Sequence, residues 1–291
     1  MSYAKAERAR VYYEEHGSGT PVVFVHEFSG DYRSWRDQTR YFARRYRCIV
    51  FNARGYPPSD VPRDGSAYSQ QTAVEDIVAV MDATGVDRAH VVGLSMGAFA
   101  TLHLGLTHPD RARSLVIASC GYGSDLGKVT SWQTGLEAVA NRWRTEGPSA
   151  IAASQAADPY RVQLQNKDPH GWAEYIQQLG EHDPEGAALT LLHVQGGRPS
   201  IYTLGDRLEA MKVPALIIAG DEDDPCLEPS FFMKRHLPAA GLAVMPKTGH
   251  TANLEEPAAF NALLADFFSL VDGGRWAERD ARSRAPHALG T

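Results

Sequence analysis

Six apolar runs of strand length, each followed by a turn, constrain this chain more than anything else in it: VVFVH, RCIVFNA, AHVVGLS, SLVIASCG, VPALIIAG and GLAVMP. Runs without polar alternation belong to strands covered on both faces. An earlier segment, RARVYYEEHG, reads as a further strand that turns back through GSGTP. Between the runs lie segments with helical spacing. Residues 31–45 carry Trp35, Tyr41 and Phe42, and residues 68–84 carry Val74, Ile77, Val78 and Met81 before a stop at Gly85. Residues 96–108, 228–236 and 257–270 complete the set. Alternating strands and helices predict an α/β fold, a mostly parallel sheet with helices on both faces.

The alternation stops between residues 123 and 206. That interval has helical patches and no buried strand, and it holds Trp132, Trp143, Tyr160, Trp172, Tyr175 and Tyr202. It is expected to be a helical cap inserted between two parts of one core, residues 1–122 and 207–271. Any single aromatic there is expected to be cap core. The polar tail 272–291 is expected to be a loosely held extension.

Composition closes off several classes. A formal charge of −6 offers no basic field for nucleic acid or an anionic membrane. No apolar run is long enough to span a bilayer. The charged start MSYAKAERARVYYEEHG lacks the apolar core of a signal peptide. Cys48, Cys120 and Cys226, odd in number and far apart, read as buried thiols of a cytoplasmic protein rather than a disulfide framework or zinc site. The expected partner is a small-molecule substrate; an oligomer is allowed but not indicated.

Chemistry concentrates at Gly93-Leu94-Ser95-Met96-Gly97, where a strand gives way to a helix. Small residues on both sides of Ser95 suit a sharp turn that lifts a hydroxyl clear of a sheet and aims a helix N-terminus at it. A serine needs a base. Of eleven histidines, only His250 follows Ser95 at the end of a late strand; His103 and His108 lie on the helix after the turn and His16 in an early turn. The orienting acid is expected among Asp221, Glu222, Asp223 and Asp224, with Asp125 a weaker candidate. No histidine or spaced ligand set supports a metal at those acids, and no cofactor is needed.

These residues together resemble the α/β-hydrolase superfamily across residues 8–270, in its chain order of serine, acid, histidine. Gly220-Asp221-Glu222-Asp223, followed by Pro225 and Pro229, matches the family's acid motif and selects Asp223. HEFSG stands where the family has a His-Gly-x-x-Gly oxyanion loop, and NARGYPPS matches its Asp-x-Arg-Gly-x-Gly-x-Ser loop with Asn52 and Pro58 as departures. The resemblance implies acyl transfer: Ser95 attacks, His250 takes its proton, Asp223 holds the imidazole, and the N–H groups of Phe28 and Met96 receive the oxyanion.

A serine nucleophile separates the chain from the epoxide hydrolases and haloalkane dehalogenases of this fold, which use an aspartate. GLSMG resembles the turn of enol-lactone hydrolases, serine esterases and ring-cleavage C–C hydrolases. A small ester or lactone is the expected substrate, with a C–C hydrolase as the alternative. A ligand-binding pseudohydrolase or a cofactor-free oxygenase is the reading from another class.

Glu27 stands where relatives have glycine, next to a proposed oxyanion donor. An unpaired carboxylate about 4 Å from a developing oxyanion opposes it by about 4 kcal/mol at an effective dielectric of 20. The expectation is that Arg54 pairs with it, since Asn52 has removed an acid from that loop; the rival is a Glu27 that faces substrate.

Overall fold

In the computed structural model, which describes residues 2–285, eight strands form one sheet in the order β1-β2-β4-β3-β5-β6-β7-β8. They are β1 (Ser2–Ala6), β2 (Ala9–His16), β3 (Thr20–Val25), β4 (Tyr46–Phe51), β5 (Ala89–Leu94), β6 (Ala112–Ala118), β7 (Ala215–Gly220) and β8 (Ala240–Met245). The first two run antiparallel and the rest parallel. The six apolar runs became β3 to β8; those of β3 to β7 are buried along nearly their whole length, whereas β8, at the sheet edge, is buried only at its two ends. β1 had no such signal, because only Ala4 of its five residues is buried.

Helices α1 (Arg36–Phe42), α2 (Gln70–Ala83) and α3 (Met96–Thr107) fill the first half. Residues 31–45 are not one helix. Asp31 caps a 3-10 turn, Tyr32–Trp35, through a bond from the Arg33 N–H, and α1 follows it. Ser69 and Thr72 form a capping box, which starts α2 at Gln70. On one face of the sheet α2 and α3 bury Val74, Ile77 and Phe99 against Val23, Ile49 and Val91. The other face packs Phe24, Val50 and Val92 against Trp35, Phe42, Phe260, Phe267 and Phe268.

Between β6 and β7 the chain leaves the sheet for α4 (Val129–Glu146), α5 (Pro148–Ser154), α6 (Val162–Lys167), α7 (Pro169–Leu179), α8 (Pro184–Leu189), a π-helical turn (Thr190–Gln195) and α9 (Gly205–Ala210). These have a core of their own, with Trp143, Tyr175 and Leu179 at its centre. Ile201, Leu204 and Leu208 already pack with the sheet. The chain then continues through α10 (Asp224–His236), α11 (Ala252–Glu255) and α12 (Pro257–Asp272).

After α12 the Trp276 indole donates to the Ala239 carbonyl at 2.8 Å and packs edge-on to Phe267. The start of the tail is therefore tied to the sheet edge. Residues 286–291, also expected to be loose, lie outside the described residues.

Topology places the functional region. From β3 the chain moves outward to β4, then crosses back over β3 to β5. In open parallel sheets, ligands bind beyond the carboxyl ends of strands at such a reversal. The loops 26–31 and 95–97 leave those ends.

Candidate active site

Ser95 adopts φ 53° and ψ −113°, a left-handed backbone that ordinary residues avoid. Strain of this kind costs on the order of 1–3 kcal/mol and persists only where the surroundings enforce it. Gly93 and Gly97 show how. A Cβ on Gly93 would lie 2.3 Å from the Gly97 carbonyl oxygen, and one on Gly97 would lie 2.1 Å from that of Val25. Side chains at either position would force the turn off β3 and β5. The Ser95 N–H donates to Ala118 O at 2.8 Å, which ties the turn to β6 as well.

His250 reaches this serine from the loop after β8, with Nε2 2.9 Å from Ser95 Oγ. Its Nδ1 lies 2.8 Å from Asp223 Oδ2. A carboxylate only accepts, so Nδ1 carries the proton and Nε2 is left to accept from the serine. Burial alone would lower the His250 pKa, but the charge and hydrogen bond of Asp223 outweigh it and raise it above the ordinary value. Burial likewise pushes the Asp223 carboxyl up, and the His250 contact reverses this to a net lowering. Asp223 is the residue before α10, and its side chain makes no capping bond, which leaves it for the histidine.

The histidine loop is held by Glu255. Its carboxylate accepts from the N–H of Gly249 at 2.6 Å, and from the N–H and hydroxyl of Thr251 at 2.9 Å each. From the cap, Tyr160 O accepts the His250 N–H at 2.8 Å.

The other acids go elsewhere. Asp221 accepts from the Thr248 N–H, Glu222 from Gln163, and exposed Asp125 caps a turn beside Lys128. His16 and His108 sit beside surface glutamates, and burial drops the His103 pKa to about 4.

Among the described residues, neither the Phe28 N–H nor the Met96 N–H has an acceptor. Met96 is the first residue of α3, so its N–H belongs to the unsatisfied end of a helix. Tyr56 fixes the Phe28 side: its hydroxyl donates to Phe28 O at 2.9 Å and lies 4.0 Å from Met96 Sδ. His26 clamps the same loop, with Nδ1 bonded to Glu27 O and Nε2 accepting from the Ala53 N–H.

The expected Glu27–Arg54 pair does not form. Arg54 runs toward α2, where Asp76 takes its Nε and Nη2 at 2.8 and 2.6 Å. Asn52 is no vacated charge either. Its Oδ1 accepts from the Tyr32 N–H while its amide donates to Pro57 O, and an aspartate could not do both. Glu27 is fully buried and points to the cap, where Oε2 accepts from Arg161 Nη2 at 2.7 Å. Arg161 also donates to Asp158 at 2.6 Å and to the Tyr175 hydroxyl at 2.8 Å. Burial would lower its pKa, but Tyr175, Glu27 and Asp158 together hold it well above the usual value.

A cavity of about 350 Å³ opens onto Ser95 and His250, walled by Glu27, Phe28, Arg161 and the cap's Trp132, Trp143 and Leu191, among others. A larger one, about 910 Å³, shares Tyr122, Ser131 and Trp132 with it and is also lined by Tyr202. Arg161 and Glu255 escaped the sequence reading. Glu255 could have been found from its place just after His250; Arg161, 134 residues from Glu27, left no local signal. Among the described residues one group could hold a metal ion, Asp223, Cys226 and His250, with donor atoms within 4.8 Å of one another. Burial pushes the Cys226 thiol well up, and Nδ1 of His250 is already engaged by Asp223, so the set is built as a hydrogen-bonded one.

Comparison with known proteins follows the same outline. Residues 20–137 match the family model of the alpha/beta hydrolase fold. A proposed carbamate hydrolase from Azorhizobium caulinodans is 28% identical over 94% of this chain and 100% of its own. The 3-oxoadipate enol-lactonase 1 of Acinetobacter baylyi is 24% identical over 86% of this chain and 89% of its own. Among solved structures, a thermophilic esterase from Thermogutta terrifontis superposes with a TM-score of 0.83, at 24% identity, over 93% of this chain and 98% of that one. Likeness along nearly the full chain, added to the family match over residues 20–137 and the eight-stranded sheet, gives this protein the alpha/beta hydrolase fold.

Proposed function

We propose that the protein is a serine hydrolase that cleaves small carboxylic esters or lactones through an acyl-enzyme. One observation carries the reading: an unbroken chain of contacts runs from Asp223 through His250 to Ser95, at the floor of a cavity roofed by the cap. In this reading Ser95 Oγ attacks the substrate carbonyl while His250 Nε2 takes its proton. Asp223 keeps the imidazole in the right tautomer and stabilises its charged form. The carbonyl oxygen gains negative charge and is received by the N–H groups of Phe28 and Met96; one such donor is typically worth about 3 kcal/mol in the transition state. The protonated His250 returns the proton to the leaving alkoxide, which departs as the alcohol or, in a lactone, stays tethered. Water, deprotonated by His250, then releases the acid and restores Ser95.

A fluorophosphonate probe and a panel of activated esters test the proposal. Folded protein is expected to be labelled at Ser95 and to turn over at least one ester. Ser95→Ala is expected to lose labelling and to drop turnover by about a millionfold. An unlabelled Ser95 together with no turnover of any ester would overturn the reading. Turnover of a dienoate ring-cleavage product in preference to esters would move the protein to C–C hydrolysis.

A further inference from the structure

The cavity wall is charged in an unusual way for a site that must build an oxyanion. Glu27, Asp158 and Arg161 meet there, two carboxylates on one guanidinium, and apart from His250 no other ionisable acid or base of the Asp, Glu, Lys or Arg type lines the cavity among the described residues. The net charge of that wall is therefore −1. Arg161 is divided among protein partners: Nη2 is on Glu27, Nη1 on Asp158 and Nε on Tyr175, so every nitrogen of its fork is already engaged once. Glu27 is fully buried, and its second oxygen, Oε1, accepts no hydrogen bond from the described residues, so part of its charge is left unbalanced. The larger cavity that adjoins it has the same sign, with Asp125, Asp224 and Glu228 against Lys128.

We infer that Glu27 and Asp158 act as a charge filter, so that the site takes acyl groups that are uncharged and rejects those that carry a carboxylate. The inference rests on the ester-hydrolase reading and narrows its substrate class. The physical reason is simple. An anion entering this wall meets two carboxylates whose charge one shared cation offsets only in part, in a region where burial weakens solvent screening. Discrimination then arises from repulsion rather than from a better fit for the preferred substrate.

The test compares two substrates of nearly the same shape, the 4-nitrophenyl monoester of adipic acid and its methylated, uncharged counterpart. The native enzyme is expected to favour the uncharged ester in kcat/KM by on the order of tenfold or more. Glu27→Gln and Asp158→Asn each bring the wall from −1 to neutral and should shrink that ratio toward unity. Arg161→Gln takes it to −2 and should widen the ratio. A role confined to fastening the cap would change both substrates together and leave the ratio in place. Asp158→Asn guards against misfolding, because its side chain is partly exposed and an amide oxygen can still accept from the Tyr160 N–H. Equal or better turnover of the carboxylate ester by the native enzyme, or ratios that move the same way in Glu27→Gln and Arg161→Gln, would overturn the inference alone. No turnover of either ester with Ser95 unlabelled would overturn the hydrolase reading and this inference with it.

Discussion

His250 is the residue whose surroundings make the most direct claim about pH. Only its neutral form can accept the serine proton, and Asp223 raises its pKa above the ordinary 6.5 despite burial. Activity should therefore fall as pH drops through a midpoint above 6.5, and be complete on the alkaline side of it. Asp223→Asn removes the largest raising influence while burial and Arg161 still lower the value, so the midpoint should drop below 6.5. The same change should cut kcat by about 10⁴-fold, because the imidazole loses its tautomeric guide. A pH profile of kcat/KM measures the midpoints; a native midpoint under 6.5 would contradict the account. That Ser95, His250 and Asp223 would meet was legible because motif and chain order survive in a linear sequence. The partners of Glu27 and Arg54 were not. Neighbouring strands place two backbones side by side, but they do not say which way two long side chains run. Here one turns to Arg161 of the cap and the other to Asp76 of α2.

At the scale of elements, the turn at Ser95 is where β3, β5 and α3 meet. Gly97 is where the start of α3 touches the end of β3, with a Cβ there meeting backbone oxygens of Val25 and His26 at 2.1 and 2.7 Å. Backbone cannot swing aside as a flexible side chain can. Gly97→Ala should therefore destabilise the fold by about 1–3 kcal/mol or more, the cost of overpacking a rigid site. It should also reduce kcat more than KM, since it moves Ser95 against His250. Urea unfolding and steady-state kinetics read the two effects; unchanged stability would mean that β3 and α3 separate more easily than their contact implies. The buried strands and the cap's helical nature were readable from apolar runs and their interruption. β1 was not, since an edge strand with one buried residue has no period to detect. The start of α10 was read four residues late, at 228 instead of Asp224, because Pro225 and adjacent acids look like loop until they are seen as a first turn.

Across the whole molecule, ion pairs run along the seam between cap and sheet beside its apolar contacts. Among the described residues, Arg33–Glu181, Arg36–Glu174, Arg63–Asp183 and Lys167–Glu256 link them at partly exposed positions, at 2.6–3.0 Å. Arg161–Glu27 is the buried member of the set. A closer seam lies at Gly186 of α8, where an added Cβ would lie 2.1 Å from the Gly55 carbonyl oxygen. Exposed pairs contribute up to about 1 kcal/mol each and are screened by salt, while a buried pair is screened little. Salt should then loosen the rim of the cap before its centre. At about 1 M salt, where the screening length is about 3 Å, amide exchange should quicken in α7, whose Glu174 meets Arg36. The His250 N–H, held by Tyr160 O next to the Arg161 contact, should stay protected. Hydrogen exchange at low and high salt separates these outcomes. If both regions loosen together, the cap moves as one body and the buried pair does not hold its centre. If neither loosens, apolar packing of the cap on Phe28 and Leu254 governs the seam rather than its ion pairs.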